Sequence, residues 1–305
     1  MQFLYLLESI RIPVLNEFML AVTQLGEETA FLVIALIMFW CVDKYKGYYI
    51  LSVGFLGTLT NQFLKLWFRI PRPWILDSKF TILEQAREAA SGYSFPSGHT
   101  QSAVGTFGGI AYTSRKLWVR IVVVAAAVLV AVSRMYIGVH TPLDIFVSAA
   151  IAVLLIVILE PLVLRNFKHT FPFVFGAMLA LSVGFLCFVE FYAFPLDVDM
   201  HNLESGVKNA YTLFGSLIGL LIVYIVDEKW INFSTKAVWW AQMLKVVGGL
   251  VGVLIIKSGL KTPLNFLLGE SLGRAARYML IVIIAGIVWP LTFKIFSSLG
   301  DKQVQ

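Results

Sequence analysis

Charge is what this 305-residue chain has least of. Only 14% of its residues are Asp, Glu, Lys or Arg, where soluble domains carry about 25%. No polar stretch is long enough to form a soluble domain. There are only two cysteines. Cys41 and Cys187 both fall in apolar runs, which suits packed thiols and excludes a disulfide framework. The N-terminus lacks a short apolar core followed by a small-residue cleavage site, so no cleaved signal peptide is expected. Internal repeats and low-complexity segments are absent. No basic stripe is interleaved with aromatics, so nucleic acid is not an expected partner despite the net charge of +6. No set of Cys, His, Asp and Glu has metal-ligand spacing, so no cofactor is expected.

What is present is apolar sequence, 59% of residues, with a mean hydropathy of +0.82. The chain reads as an all-α, polytopic transmembrane bundle in which the first span acts as its own targeting signal. Residues 1–24 carry apolar positions at helical spacing with Glu8, Arg11, Asn16 and Glu17 between them, as in an interfacial amphipathic helix; a longer tilted span is the alternative. Spans follow at about 28–42, 47–68, 99–113, 117–137 and 142–164. The second half supplies 171–193, 210–227, 239–257 and 276–297, making about nine. Residues 69–96 form the longest polar loop of the first half, with a short helical patch near 82–90.

Threading these spans collects Lys44, Lys46, Arg115, Lys116, Arg120, Arg165, Lys168, Lys229, Lys236, Lys294 and Lys302 on one side. Basic residues in short loops mark the cytoplasm. Loops 69–98, 138–141, 194–209 and 258–275 fall on the other side, with Asp77, Glu84, Glu88, Asp197, Asp199, Glu204 and Glu270 mixed in. They are expected to face outside an inner (plasma) membrane.

Three stretches carry unusual polar residues, and all lie on that outer side. In residues 133–144, Thr141 and Pro142 read as an N-cap and first helical residue. Asp144 then falls in the first turn, four residues from His140, where its carboxylate can fix the imidazole tautomer. The simpler reading has Asp144 merely closing a capping box. In residues 65–73, Lys65, Arg69 and Arg72 recur on one helix face that Pro71 and Pro73 terminate. Arg69 suits snorkelling to headgroups, whereas Lys65 lies deeper and calls for a partner. In residues 93–100, Pro96-Ser97-Gly98 precedes a helix, so free backbone N–H groups and the helix dipole make a phosphate site with His99 at its rim. An ordinary turn capped by Ser97 is the alternative. Together the cations, the helix start and the two histidines suit phosphoryl transfer through a phosphohistidine.

Lys65–Pro73 matches Lys-x6-Arg-Pro, Pro96–His99 matches Pro-Ser-Gly-His, and Ser133–Asp144 matches Ser-Arg-x5-His-x3-Asp. These stretches resemble, in order and without a departure, the three signatures of the type 2 phosphatidic acid phosphatase (PAP2) superfamily. The resemblance covers about residues 25–165. It implies a metal-independent phosphatase with an α-helical core over residues 25–169. It further implies His140 as nucleophile, Asp144 as its orienting partner and His99 as general acid and later base. Lys65, Arg72, Ser97, Gly98 and Arg134 become the phosphate ligands.

Residues 170–305 form additional spans of unassigned role. Glu190, His201 and Glu204 could line substrate access but read more simply as solvated. Lys257, Lys261, Arg274 and Arg277 could hold a second phosphate but read more simply as meeting headgroups. The expected substrate is a lipid phosphate or diphosphate, either an isoprenoid diphosphate such as undecaprenyl diphosphate or a glycerophospholipid phosphate, because its tail can stay in the bilayer. The rivals are a glucose-6-phosphatase-like sugar-phosphate phosphatase, a lipid-linked phosphotransferase and a non-catalytic lipid transporter.

Overall fold

A computed structural model of the chain describes residues 1–87 and 90–299. Glu88 and Lys302 of the charge tally lie outside the described residues, as does part of the helical patch near 82–90. Every expected span of the first half is helical. The helices are α1 (Gln2–Ser9), α2 (Pro13–Gln24), α3 (Glu28–Val42), α4 (Lys44–Phe68), α5 (98–113), α6 (Leu117–Tyr136) and α7 (Pro142–Arg165). The second half adds α8 (Phe167–Phe191), α9 (Met200–Ile231), α10 (Trp239–Gly259) and α11 (Lys261–Ser298). No strand occurs among the described residues.

The count of about nine spans is not reproduced. Among the described residues, by length and composition, six helices can cross a membrane, α6 to α11, or seven if α2 and α3, bent by 51°, form one broken span. Polar Asn61, Gln62 and Lys65 lower the hydropathy of α4, and α5 is short. Three local expectations also change. The N-terminal stretch is two helices, because Pro13 starts a new one. The patch near 82–90 narrows to a 3-10 turn, Glu84–Ala86. The expected loop 258–275 is mostly helical, turned at Gly269, whose φ of 77° is one that a residue without a Cβ adopts at little cost.

The chain divides into two compact units. The first comprises Met1–Ile34, Tyr49–Arg165 and Ala193–Gly206; the second comprises Ala35–Tyr48, Asn166–Tyr192 and Val207–Gln305. Lipid tails are as apolar as leucine, so helices in a membrane associate through close packing and small residues. In the first unit Gly57 and Gly105 let α4 and α5 approach. A Cβ at Gly105 would sit 3.3 Å from Val53, one at Gly57 would strike Gln101, and one at Gly98 would lie 4.0 Å from Asn61 Oδ1. As the residue number rises along α5 its partner on α4 falls, so the two helices run antiparallel. In the second unit Gly215 and Gly219 of α9 lie against Ala275 and Met279 of α11. There Lys44 is buried on Asp227 at 2.9 Å and Asn232 at 2.8 Å.

Candidate active site

The site belongs wholly to the first unit. Helix α6 ends at Tyr136, and Gly138, at φ 93°, turns the chain towards His140. Thr141 then caps α7, and Pro142 occupies its first turn. The capping box forms: Asp144 N–H donates to Thr141 Oγ1 at 3.4 Å, and Thr141 N–H donates to Asp144 Oδ2 at 2.8 Å. The same Oδ2 lies 3.4 Å from His140 Nδ1. The two readings of Asp144 are therefore not alternatives, because one carboxylate caps the helix and faces the imidazole. Ser94 joins them, donating to Asp144 Oδ2 at 2.7 Å and lying 3.5 Å from His140 Nδ1. Both His140 and Asp144 are buried.

An acceptor at Nδ1 keeps a proton there and leaves Nε2 unprotonated, as an acceptor. Arg72 Nη1 approaches that nitrogen at 3.0 Å. Backbone carbonyls hold the guanidinium in place: Nε donates to Gly92 O at 3.1 Å, Nη2 to Ser91 O at 2.8 Å and Nη1 to Val139 O at 3.0 Å. Burial lowers the Arg72 pKa to about 10, with Asp144 opposing the shift. Burial also holds His140 well below the ordinary imidazole range, and the charges of Arg72, Lys65, Arg134 and His99 push it the same way. A protonated His140 would be a further cation among cations.

Lys65, buried in the last turn of α4, donates to Tyr93 O. Arg69 does not share its face as expected. The helix stops at Phe68, Arg69 takes a left-handed φ of 51°, and its guanidinium folds back to Leu66 O at 3.0 Å. Arg72 reaches the site from the loop beyond. Arg134, in the last turn of α6, is 3% exposed and donates to Thr23 Oγ1 at 2.7 Å, while its Nε has no partner. Ser97 caps α5, accepting from Thr100 N–H at 3.4 Å and Thr100 Oγ1 at 3.0 Å. Gly98 and half-buried His99 follow in the first turn.

Three buried cations, Lys65, Arg72 and Arg134, thus surround one buried carboxylate, Asp144; Glu27 is an additional, partly exposed neighbour of Arg134. Removing charge from water is costly unless a counter-ion replaces the water. The surplus of positive charge fits an anion.

The sequence matches the PAP2 superfamily model over residues 45–168, which contains all eight of the expected site residues. Phosphatidylglycerophosphatase B of Bacillus subtilis is 33% identical over 159 residues, 48% of this chain and 74% of that protein. The chain belongs to the PAP2 superfamily. It is a phosphatase, a hydrolase, and a multi-pass membrane protein. Residues 211–301 match a further PAP2 model, the superfamily phosphatase transmembrane extension. Sphingosine-1-phosphate phosphatase 1 of Mus musculus is 26% identical across 78% of this chain and 58% of its own length. Undecaprenyl-diphosphatase BcrC of Bacillus subtilis is 28% identical across 33% of this chain and 50% of its own length.

Sequence reasoning missed Ser94 and Thr23. Ser94 stands three residues before Ser97, but its contact with Asp144 is made across 50 positions. Thr23 meets Arg134 across 111. Neither separation leaves a local pattern.

Proposed function

We propose that this PAP2 phosphatase dephosphorylates a lipid phosphate or diphosphate through a phosphohistidine, without a metal, on the extracytoplasmic face of an inner membrane. The observation that carries the chemistry is the pair of contacts on His140, with the Asp144 carboxylate at Nδ1 and the Arg72 guanidinium at Nε2. His140 Nε2 attacks phosphorus, and the bond from phosphorus to the leaving oxygen breaks. His99 delivers a proton to that oxygen. Asp144 keeps the Nδ1 proton in place and stabilises the charge gained by the ring. In the second half-reaction His99 takes a proton from water, the resulting oxygen attacks phosphorus, and the P–N bond breaks. Lys65, Arg72 and Arg134, with Ser97 and the Gly98 N–H, bind the phosphate oxygens and stabilise the charge of the transition state.

Lipid substrates are supported by the relatives, which by name act on phosphatidylglycerophosphate, sphingosine 1-phosphate and undecaprenyl diphosphate. Residues 25–169 are proposed as the catalytic core, 1–24 as an interfacial segment and 170–305 as additional helices. The orientation rests on the basic short loops at the opposite helix ends.

The test is phosphate release from the purified, detergent-solubilised protein in EDTA. The substrates are undecaprenyl diphosphate, phosphatidic acid, phosphatidylglycerophosphate and glucose 6-phosphate, each also given to His140→Ala. Release from a lipid that survives EDTA and falls at least about a thousandfold in the variant is expected. Release confined to glucose 6-phosphate would overturn the lipid reading. Release unaffected in the variant would overturn the phosphohistidine.

A further inference from the structure

Two buried amides beside the phosphate site belong to none of the three motifs. Asn61 is 2% exposed and Gln101 is 3% exposed. Neither the nitrogen nor the oxygen of either amide has a hydrogen-bond partner. A buried polar atom without a partner is destabilising, and native structures hold few of them. Four on two facing side chains need an explanation.

The helix register places them. Along α4 one face carries Val53, Gly57, Asn61 and Lys65, each one turn from the next. Along α5 the facing positions are Gly105, Gln101 and Gly98. The pairs are Val53 with Gly105, Gly57 with Gln101 and Asn61 with Gly98. Lys65 therefore stands one turn beyond Asn61, at the end where α5 begins. Asn61 Oδ1 lies 4.0 Å from where a Cβ on Gly98 would be, so the Asn61 amide reaches the space that a phosphate on Lys65 and the Gly98 N–H would fill. Gln101 is the adjacent polar rung, and Gly57 makes room for it.

We infer that Asn61 is a further phosphate-binding residue of this enzyme, donating from Nδ2 to a phosphoryl oxygen, with Gln101, packed at Gly57 one turn further along α4, as a positioning residue that acts through the packing of α4 on α5. The inference rests on the proposed phosphate site. A neutral donor suits this position. The three cations already supply the charge, and a fourth next to Lys65 would repel it. The amide adds direction, because its planar N–H2 fixes an oxygen where an ammonium on a flexible stem does not. The ligand is the phosphoryl group itself, shared by every substrate in the panel, so Asn61 selects phosphate and is indifferent to the tail.

The test uses inorganic phosphate as the probe, on the full-length detergent-solubilised protein. Its inhibition constant, its effect on the melting temperature and the KM for the best lipid are measured for the wild type, Asn61→Leu, Asn61→Asp and Gln101→Leu. Losing a hydrogen bond to a charged group corresponds to about a 10- to 100-fold change. The inhibition constant and KM are expected to rise together by that factor in Asn61→Leu. The rise is expected to be larger in Asn61→Asp, whose carboxylate faces the phosphate, and smaller in Gln101→Leu. A purely structural role would lower the melting temperature of the phosphate-free protein and leave the inhibition constant unchanged, and that result would overturn the inference. If Asn61→Leu does not fold, the isosteric Asn61→Asp decides by the same constant. If phosphate neither inhibits nor stabilises the wild type, the phosphate site itself is wrong, and the inference falls with it.

Discussion

Two buried charge clusters in this molecule are built in opposite ways. In the second unit Lys44 is 7% exposed and pairs with fully buried Asp227 at 2.9 Å, with Glu228 at 3.7 Å and with the side-chain Oδ1 of Asn232 at 2.8 Å. Its positive charge is balanced within the protein. In the first unit Lys65, Arg72 and Arg134 share one fully buried carboxylate, and Asp144 turns its Oδ2 to His140, Ser94 and the Thr141 N–H rather than to any of the three. Their hydrogen bonds go to the carbonyls of Tyr93, Gly92, Ser91 and Val139, to Thr23 and, from Arg72, to His140 Nε2. The first arrangement is balanced as it stands, and the second carries the surplus of positive charge that the proposed phosphate would balance. Burial alone does not distinguish a structural charge from a functional one; the charge balance does.

Substitution separates the two most sharply. Arg72→Met is expected to lower phosphate release on the order of a thousandfold or more, since it removes a donor aimed at the transferring group. It should lower the melting temperature in phosphate-free buffer only slightly, because losing an unbalanced buried charge offsets the lost hydrogen bonds to Gly92, Ser91 and Val139. Asp227→Asn is expected to do the reverse. Removing one partner of a buried pair costs about 3–5 kcal/mol, while activity per folded molecule holds. Melting curves and rates for the two variants check this. An equal fall in melting temperature for both would erase the distinction.

A smaller effect sharpens it. Burial first, and the cations around His140 second, oppose its protonation, so its pKa lies below the ordinary histidine value of about 6.5. As the proposed nucleophile His140 must be neutral, so activity is expected to be lost as pH falls through that pKa. The acid limb of kcat/KM, which reports the free enzyme, should therefore lie below about pH 6.5. In Arg72→Met it should move upward. An acid limb at the same pH in both proteins would mean that Arg72 does not act on His140.

The geometry of the candidate site was legible where it is local. Thr141, Pro142 and Asp144 fix the start of α7 within four residues, and that start brings the carboxylate to His140. Ser97 and Gly98 do the same for α5. The three motifs then name the family, which the matches over 45–168 and 211–301 bear out. Long-range features left no such trace. Arg69 sits at helical spacing from Lys65, and only the left-handed turn after Phe68 removes it from that face. Ser94 and Thr23 join through contacts 50 and 111 residues apart. The count of about nine spans is not confirmed by length and composition: α4 carries polar Asn61 and Lys65 and so lacks the hydropathy of an ordinary span, and α5 is short. The residues 258–275 read as a loop because Lys257, Lys261, Glu270 and Arg274 are charged, yet Gly269 turns a chain that stays helical on both sides.

The central claim is that His140 Nε2, oriented by Asp144 and facing Arg72, carries the phosphoryl group. The direct measurement is to mix the wild-type protein with a radiolabelled lipid phosphate, quench in base within one turnover, where a phosphohistidine survives, and locate the label by mass spectrometry of the digested chain. The account predicts label on His140 and none in His140→Ala. Label on His99, or turnover with no labelled protein at any time, would contradict it.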